Sequence, residues 1–312
     1  MIISASRRTD IPAFYAEWFM YRLQAGVVYV RNPRNPGQIA SVALNPAVVD
    51  CIVFWTKNAR PMLNKLDVID KMGYPYYFQF TITPYDQQVE KRLPPKAEII
   101  ETFQYLSEKI GKQRVIWRYD PVIVSPEFSV QYHLEAFGNL CDHLGDYTGQ
   151  CMISFIDVYA KNRRNLRDIM ACETEPRHKN KIAAGFSAIA QAHKLSLAAC
   201  SETMDFSAYG IERAACIDKR LIEKITDSSL GGKKDPNQRP DCGCLESIDI
   251  GAYDCCPYGC IYCYGTKSEA AVQKNRQLHS VYSPLLVGVP AEEDHVGSRA
   301  CKSLKNIQSS LF

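Results

Sequence analysis

The stretch SIDIGAYDCCPYGCIYCYG, residues 247–265, joins a short run with two isoleucines to four cysteines within nine positions. Its reading decides the fold. If residues 247–250 form a strand, they complete a series of eight, and the cysteines then leave directly from that strand's carboxyl end. Cys256, Cys260 and Cys263 carry the spacing C-x-x-x-C-x-x-C. Cys255 lies beside Cys256 and points elsewhere.

Upstream, short apolar runs at 1–4, 27–30, 51–55, 76–83, 114–119, 151–157 and 195–200 read as strands. Helical patterns fall between them at 13–23, 61–72, 96–110, 129–144, 160–170 and 178–193. Asp10 is placed to cap the first of these helices, with Pro12 in its first turn. Strands alternating with helices pair in parallel. With seven or eight such units, the expected architecture is an α/β, TIM-like (β/α) barrel rather than an open sheet. Residues 1–230 are its body. Residues 231–312 hold a linker (GGKKDPNQRPD, 231–241), the cysteine loop and a tail that packs on the barrel.

In such a fold the loops after the strand carboxyl ends build the site. Those loops carry Ser6, Arg7, Arg8 and Asp10, then Asn32, then Thr56, Lys57 and Asn58. Further on come Thr81 and Thr83, Arg118 and Asp120, Asp157, and Ser201 with Glu202. Any one of them reads as a cap or a turn. Their recurrence at the same end of successive strands is the signal.

Composition narrows the class. Lys and Arg (37) nearly balance Asp and Glu (34), so bulk nucleic-acid binding is not indicated, though a local basic groove remains open. The first twenty residues lack a basic segment followed by an apolar one, and no apolar run approaches ~18 residues. The expectation is a cytoplasmic protein with no membrane partner. Of 13 cysteines, Cys51, Cys141, Cys151, Cys172 and Cys301 are scattered and the rest lie between 200 and 263. Such clustering points to metal rather than disulfides.

Three thiolates on one short loop cannot complete a tetrahedral zinc site. They can hold three corners of a [4Fe-4S] cube and leave one iron without a protein ligand. Cys200, Cys216, Cys242 and Cys244 form a second possible set, for zinc or a second iron–sulfur cluster. Alternatively, Cys200 and Cys216 are small buried apolar residues. No other constellation competes: the histidines fall singly, no P-loop occurs, and GIERAAC (210–216) is not a dinucleotide fingerprint. Trp18, Trp55 and Trp117 read as core residues, and KNRRNLR (161–167) as a solvated helix face.

CPYGCIYCYG (256–265) resembles the cluster loop of the radical S-adenosylmethionine (SAM) superfamily, C-x-x-x-C-x-aromatic-C, with Tyr262 as the aromatic. The flanking YGCIYCY is most similar to the branch of spore photoproduct lyase. The whole chain is similar to an uncharacterised domain family noted for a radical-SAM-type cluster at its carboxyl end. The resemblance implies that Cys256, Cys260 and Cys263 ligate a [4Fe-4S] cluster whose open iron chelates SAM. An electron from a donor such as flavodoxin or ferredoxin would then release a 5′-deoxyadenosyl radical that takes a hydrogen atom from substrate.

Members of that superfamily carry the loop after their first strand, whereas here it follows the last. A circularly permuted radical SAM barrel reconciles the two and requires residues 247–250 to lie beside residues 2–4. The superfamily's SAM-amine contact then maps near Ser4 to Asp10, where SASRRTD lacks its Gly-Gly-Glu. Ser4, Ser6 and Tyr262 stand as cofactor-binding candidates by position alone. Arg7, Arg8, Lys57, Arg118, Asp120 and Glu202 are candidates for substrate or SAM contact. The substrate, a small molecule or a nucleic acid, is left open. The alternative from a different class is a non-enzymatic zinc or iron–sulfur module that docks a partner or nucleic acid. A ferredoxin-like electron carrier fits poorly.

Overall fold

Residues 248 and 249 do form a strand, and its neighbour is the first strand of the chain. The structure is a computed structural model that describes residues 1–160 and 162–306. Its strands are β1 (Ile2–Ala5), β2 (Val27–Arg31), β3 (Gln38–Ala43), β4 (Cys51–Thr56), β5 (Tyr76–Thr81), β6 (Val115–Val122), β7 (Gln150–Phe155), β8 (Ser196–Cys200), β9 (Glu212–Ala214), β10 (Ile248–Asp249) and β11 (His295–Ser298). Among the described residues, eight of them form one sheet in the order β10-β1-β4-β5-β6-β7-β8-β9, every pair parallel. Ile3 pairs with Ile248 and Ser4 with Asp249, the adjacency that the permuted order requires.

The class is therefore α/β with a large parallel sheet. The sheet order has two ends, β10 and β9, so hydrogen-bonded pairing does not close a ring. One backbone bond, from the Leu245 N–H to the Ile217 carbonyl (3.1 Å), links the segments beside those two edge strands.

Two strand expectations are corrected. Residues 27–30 do not join the parallel series. They form β2, antiparallel to β3, in a separate three-stranded sheet completed by β11. The reason is chain length: NPRNPG (32–37) between them suits a hairpin, and a parallel crossover needs a dozen residues or more. The eighth member of the main sheet is β9 instead, inside the stretch dismissed as a non-motif. It is only three residues long and opens with Glu212 and Arg213, so it carries no apolar alternation.

Both faces of the sheet are buried, as parallel sheets require. On one face Ile3, Ala5, Phe54, Phe78, Trp117, Tyr119, Ile153 and Phe155 pack in a core that also holds Phe19, Phe103, Phe137 and Phe186 from the surrounding helices. Those helices include α1 (Ile11–Phe14), α2 (Ala16–Ala25), α3 (Leu66–Lys71), α4 (Lys96–Ile110), α5 (Val130–Leu144) and, after the short α6 (Arg163–Arg167) that packs with Tyr85 and Ile156 instead, α7 (Pro176–Ala192). The other face holds Ile2, Val53, Tyr77, Ile116, Met152 and Ala198. It is capped by Ile222 of α8 (Lys219–Thr226) together with Leu230 and Leu245.

Asp10 caps α1 by accepting from the Ala13 N–H (3.0 Å), with Pro12 in the first turn. In the α6 segment Arg163, Arg164 and Arg167 are exposed and Leu166 is buried, a solvated face. Lys161, the first residue of that stretch, lies outside the described residues. The tail packs on the body: the Trp18 indole donates to the Ser283 carbonyl (2.9 Å), and Leu285 and Leu286 are buried. A last helix, α9 (Glu269–Gln277), follows the cysteine loop. No helix among the described residues is long and apolar enough to cross a membrane.

His133 of α5 yields a pH test. Its Nδ1 pairs with the Tyr119 hydroxyl and its Nε2 with the Ile123 carbonyl, both at 2.8 Å, inside the core. Burial holds the imidazole down, from 6.5 to about 4. The unfolded chain therefore binds this proton more readily, and stability falls as the pH drops through that window, by up to about 3 kcal/mol. Urea unfolding of the wild type and His133→Gln at pH 7 and pH 4.5 checks this. An equal pH dependence in the two proteins would remove His133 as its source.

Candidate cysteine-lined active site

Strand period and polarity together place the site. Along the face that holds Ile2, Tyr77 and Ile116, alternate residues turn polar towards the strand carboxyl ends. The progression runs Ile2 to Ser4 to Ser6, Tyr77 to Gln79 to Thr81, Ile116 to Arg118 to Asp120, and Met152 to Ser154. There Ser6, Thr81, Arg118, Asp120 and Ser154 line a cavity of about 410 Å³ together with Trp55 and Cys200. Cys256, Cys260 and Cys263 line the same cavity, and so do Cys216, Cys242 and Cys244.

The cysteine loop is held from both chain ends. The Asp249 carboxylate accepts from the Ser4 hydroxyl (2.9 Å), the Ser6 hydroxyl (2.6 Å), the Arg7 N–H (2.8 Å) and the Gly251 N–H (3.0 Å). Carboxylates collecting several donors form strong hydrogen bonds. A β-carbon on residue 251 would fall 2.1 Å from the Ser6 oxygen, so this approach demands glycine. Gly265 is equally constrained: a β-carbon there would meet the Arg8 carbonyl at 2.9 Å, and its N–H donates to the Cys263 sulfur at 3.3 Å. The Tyr15 hydroxyl donates to the Cys255 carbonyl (2.7 Å). Cys255 itself is fully buried, its thiol on the Tyr253 carbonyl (3.1 Å), and it does not line the cavity.

A buried charge cluster flanks Cys260. Glu90, 1% exposed, accepts from the Lys57 ammonium (2.7 Å), the Lys96 ammonium (3.0 Å), the Thr83 hydroxyl (2.7 Å) and the Tyr262 hydroxyl (2.5 Å). Burial alone would raise the Glu90 carboxyl, but the two ammonium groups overcome it and hold it at about 2. Burial likewise opposes the Lys57 charge, and Glu90 with Cys260 restores it, so its pKa is raised. Burial pushes the Cys260 thiol up to about 12 against the pull of Lys57. Asp10 joins the Thr56 hydroxyl (2.8 Å) and the Lys57 N–H (2.7 Å) to the helix it caps, and desolvation raises it to about 7.

The opposite wall carries the second cysteine set. Cys200 and Cys216 have their sulfurs 3.0 Å apart, and Arg118 Nη1 donates to the Cys216 sulfur at 2.8 Å. Cys244 accepts from the Ile217 N–H (3.3 Å) and lies near Cys216 and Cys242. The influence of Cys244 holds the Cys242 thiol down, to about 6. Among the described residues, no three His, Cys, Asp or Glu side chains stand already arranged around a metal position. Trp55 lies beneath the guanidinium groups of Arg7 (4.9 Å) and Arg118 (5.3 Å). Arg7 Nη2 and Trp55 Nε1 are buried with no hydrogen-bond partner among the described residues.

Of the expected site residues, Ser6, Arg7, Arg8, Lys57, Arg118, Asp120, Tyr262 and the seven cysteines line the cavity. Ser4 and Glu202 do not. Ser4 is fully buried on Asp249, and Glu202 binds the Phe155 N–H (2.8 Å) and the Lys179 ammonium (2.8 Å), tying β7 to the loop after β8. Trp55, expected in the core, lines the cavity, because its strand position shares the inner face with Val53. The linker is no spacer: Asn237, Gln238 and Arg239 line the cavity, and Arg239 pairs with Asp157. Glu90 and Asp249 escaped sequence reading because nothing local distinguishes a lone acid that gathers partners from distant segments.

The chain belongs to the family described as Domain of unknown function (DUF1848), whose model matches residues 2–265, through the last glycine of the cysteine loop. No curated protein matches it.

Asp249 supplies the test of this assembly. Asp249→Ala strands buried hydroxyl and amide donors, each costing about 1–3 kcal/mol. The expected result is a fall of several degrees in the unfolding midpoint, with a smaller fall for Asp249→Asn. A midpoint unchanged in Asp249→Ala would show that the carboxylate does not hold the loop.

Proposed function

We propose that this DUF1848 chain is a radical SAM enzyme with a [4Fe-4S] cluster held by Cys256, Cys260 and Cys263. The observation that carries the reading is the convergence of all three C-x-x-x-C-x-x-C thiols on one cavity at the carboxyl ends of a parallel sheet. Their loop leaves a strand paired beside β1, so it follows the spatially first strand although it comes late in sequence. That placement supports a permuted radical SAM order of strands. The donor set fits the group: three thiols from one short loop leave one iron free of protein ligands. When bound, cluster and SAM together supply a 5′-deoxyadenosyl radical able to take a hydrogen atom from substrate.

The chain's own residues bind, orient and shield. The Lys57 ammonium, 5.5 Å above the Tyr262 ring and beside Cys260, offsets thiolate charge. Arg7 Nη2 and Trp55 Nε1, without hydrogen-bond partners among the described residues, offer donors to an anionic group of SAM or substrate, and a ligand that pairs them removes a desolvation cost. Arg118, fixed by Asp120 and Cys216, adds positive charge at the cavity floor. Tyr258, Tyr262, Tyr264 and Phe155 line the cavity and limit water. A cavity of about 410 Å³ suits a cofactor or small ligand better than a flat docking surface. The proposed substrate is a small molecule or a nucleic acid. A flavodoxin or ferredoxin is the proposed electron donor, and the cytoplasm the proposed location.

The test is anaerobic reconstitution with iron and sulfide, reduction, addition of SAM, and mass spectrometry for 5′-deoxyadenosine. The wild type should form it, and Cys260→Ala should lose at least a hundredfold of that yield. Iron-loaded wild type that forms none would overturn the proposal.

A further inference from the structure

We propose that Cys200, Cys216, Cys242 and Cys244 form a second, four-thiolate metal centre, mononuclear and suited to zinc, that joins the two edges of the parallel sheet. Four thiols from three separate segments meet here. Cys200 ends β8, Cys216 follows β9 by two residues, and Cys242 and Cys244 precede β10. All four are buried, at 7%, 3%, 5% and 1% exposure. The Cys200 and Cys216 sulfurs are 3.0 Å apart, and all four cysteines line the same cavity, with Cys244 close enough to act electrostatically on Cys216 and Cys242. Chance burial of free cysteines explains one or two such thiols, not four gathered on one cavity from distant positions.

Size selects the metal. Zinc–sulfur bonds of about 2.3 Å in a tetrahedron set sulfurs about 3.8 Å apart. The Cys200–Cys216 separation of 3.0 Å is within 1 Å of that, so a small side-chain rotation brings this pair to the spacing of zinc ligands. A four-iron cube between the same sulfurs requires far wider spacing. The separation is also well beyond a disulfide bond of about 2.05 Å. Charge agrees: zinc with four thiolates carries a net double negative charge, and two guanidinium groups face it. Arg118 donates to Cys216, and Arg7 lies near Cys244 and Cys216. The Ile217 N–H on Cys244 is the kind of outer hydrogen bond that orients a metal ligand.

Position gives the centre its role. β9 and β10 are the unpaired edges of the sheet, and the Leu245–Ile217 bond lies next to these cysteines. Zinc there would fasten the edges and fix the cavity wall opposite the cluster loop. The centre needs none of Cys256, Cys260 or Cys263, so it stands or falls apart from the radical SAM reading.

The experiment measures zinc and iron by mass spectrometry in the purified full chain, in Cys256→Ala/Cys260→Ala/Cys263→Ala, and in Cys242→Ser/Cys244→Ser. Cobalt(II) is then exchanged into the triple variant and its absorption recorded. The expected result is one zinc per chain in the wild type and the triple variant, lost from the double variant. The cobalt protein should show thiolate charge-transfer bands with intense tetrahedral ligand-field bands. Zinc absent from the triple variant, iron–sulfur colour persisting in it, or cobalt without those bands would each overturn the proposal. If the double variant fails to fold, the triple variant and its cobalt spectrum decide alone.

Discussion

The parallel pairing of Ile248–Asp249 with Ile2–Ala5 is the constraint on which the rest depends. It is a short contact, two residues against four, and strand hydrogen bonds alone would hold it weakly. The Asp249 carboxylate strengthens it by gathering hydroxyl and amide donors from Ser4, Ser6, Arg7 and Gly251. Segments more than 240 positions apart are thereby fixed within hydrogen-bond distance. That contact sets the cysteine loop beside Arg7, while the Tyr262–Glu90 hydrogen bond ties the same loop to Lys57.

Around this contact the cavity concentrates charge that the protein bears the cost of burying. Glu90 is almost wholly enclosed and is stabilised by two ammonium groups and two hydroxyls. Buried ion pairs of this kind add little to stability over an apolar core, because desolvation consumes most of the attraction. They stand at one end of the sheet, together with donors on Arg7 and Trp55 that have no partner among the described residues, the features on which the proposed ligand site rests.

Reading by strand position explains both the successes and the misses at the site. Arg118, Asp120 and Lys57 were legible because charge at the carboxyl end of an apolar strand is an anomaly visible in sequence, the first two lying within β6 and Lys57 just after β4. Trp55 was misread because a tryptophan in CIVFW is indistinguishable from a core residue until its face is known. Ser4 and Glu202 fall at the expected strand ends, but their side chains serve other segments of the fold. β2 failed as a member of the main sheet because apolar strand composition does not reveal the partner. β9 was missed because three residues with two charges carry no pattern.

By itself the sequence determined the α/β class, the parallel alternation of strands and helices, the cap at Asp10 and the grouping of cysteines into two sets. These follow from local periodicity and spacing, which neighbouring residues settle among themselves. Only the tertiary structure decided that both cysteine sets face one cavity, that the linker covers it, that Asp249 and Glu90 organise it, and that the sheet keeps two edges. Those facts depend on contacts between residues far apart in the chain, where side-chain direction and burial are set by partners that no local pattern specifies.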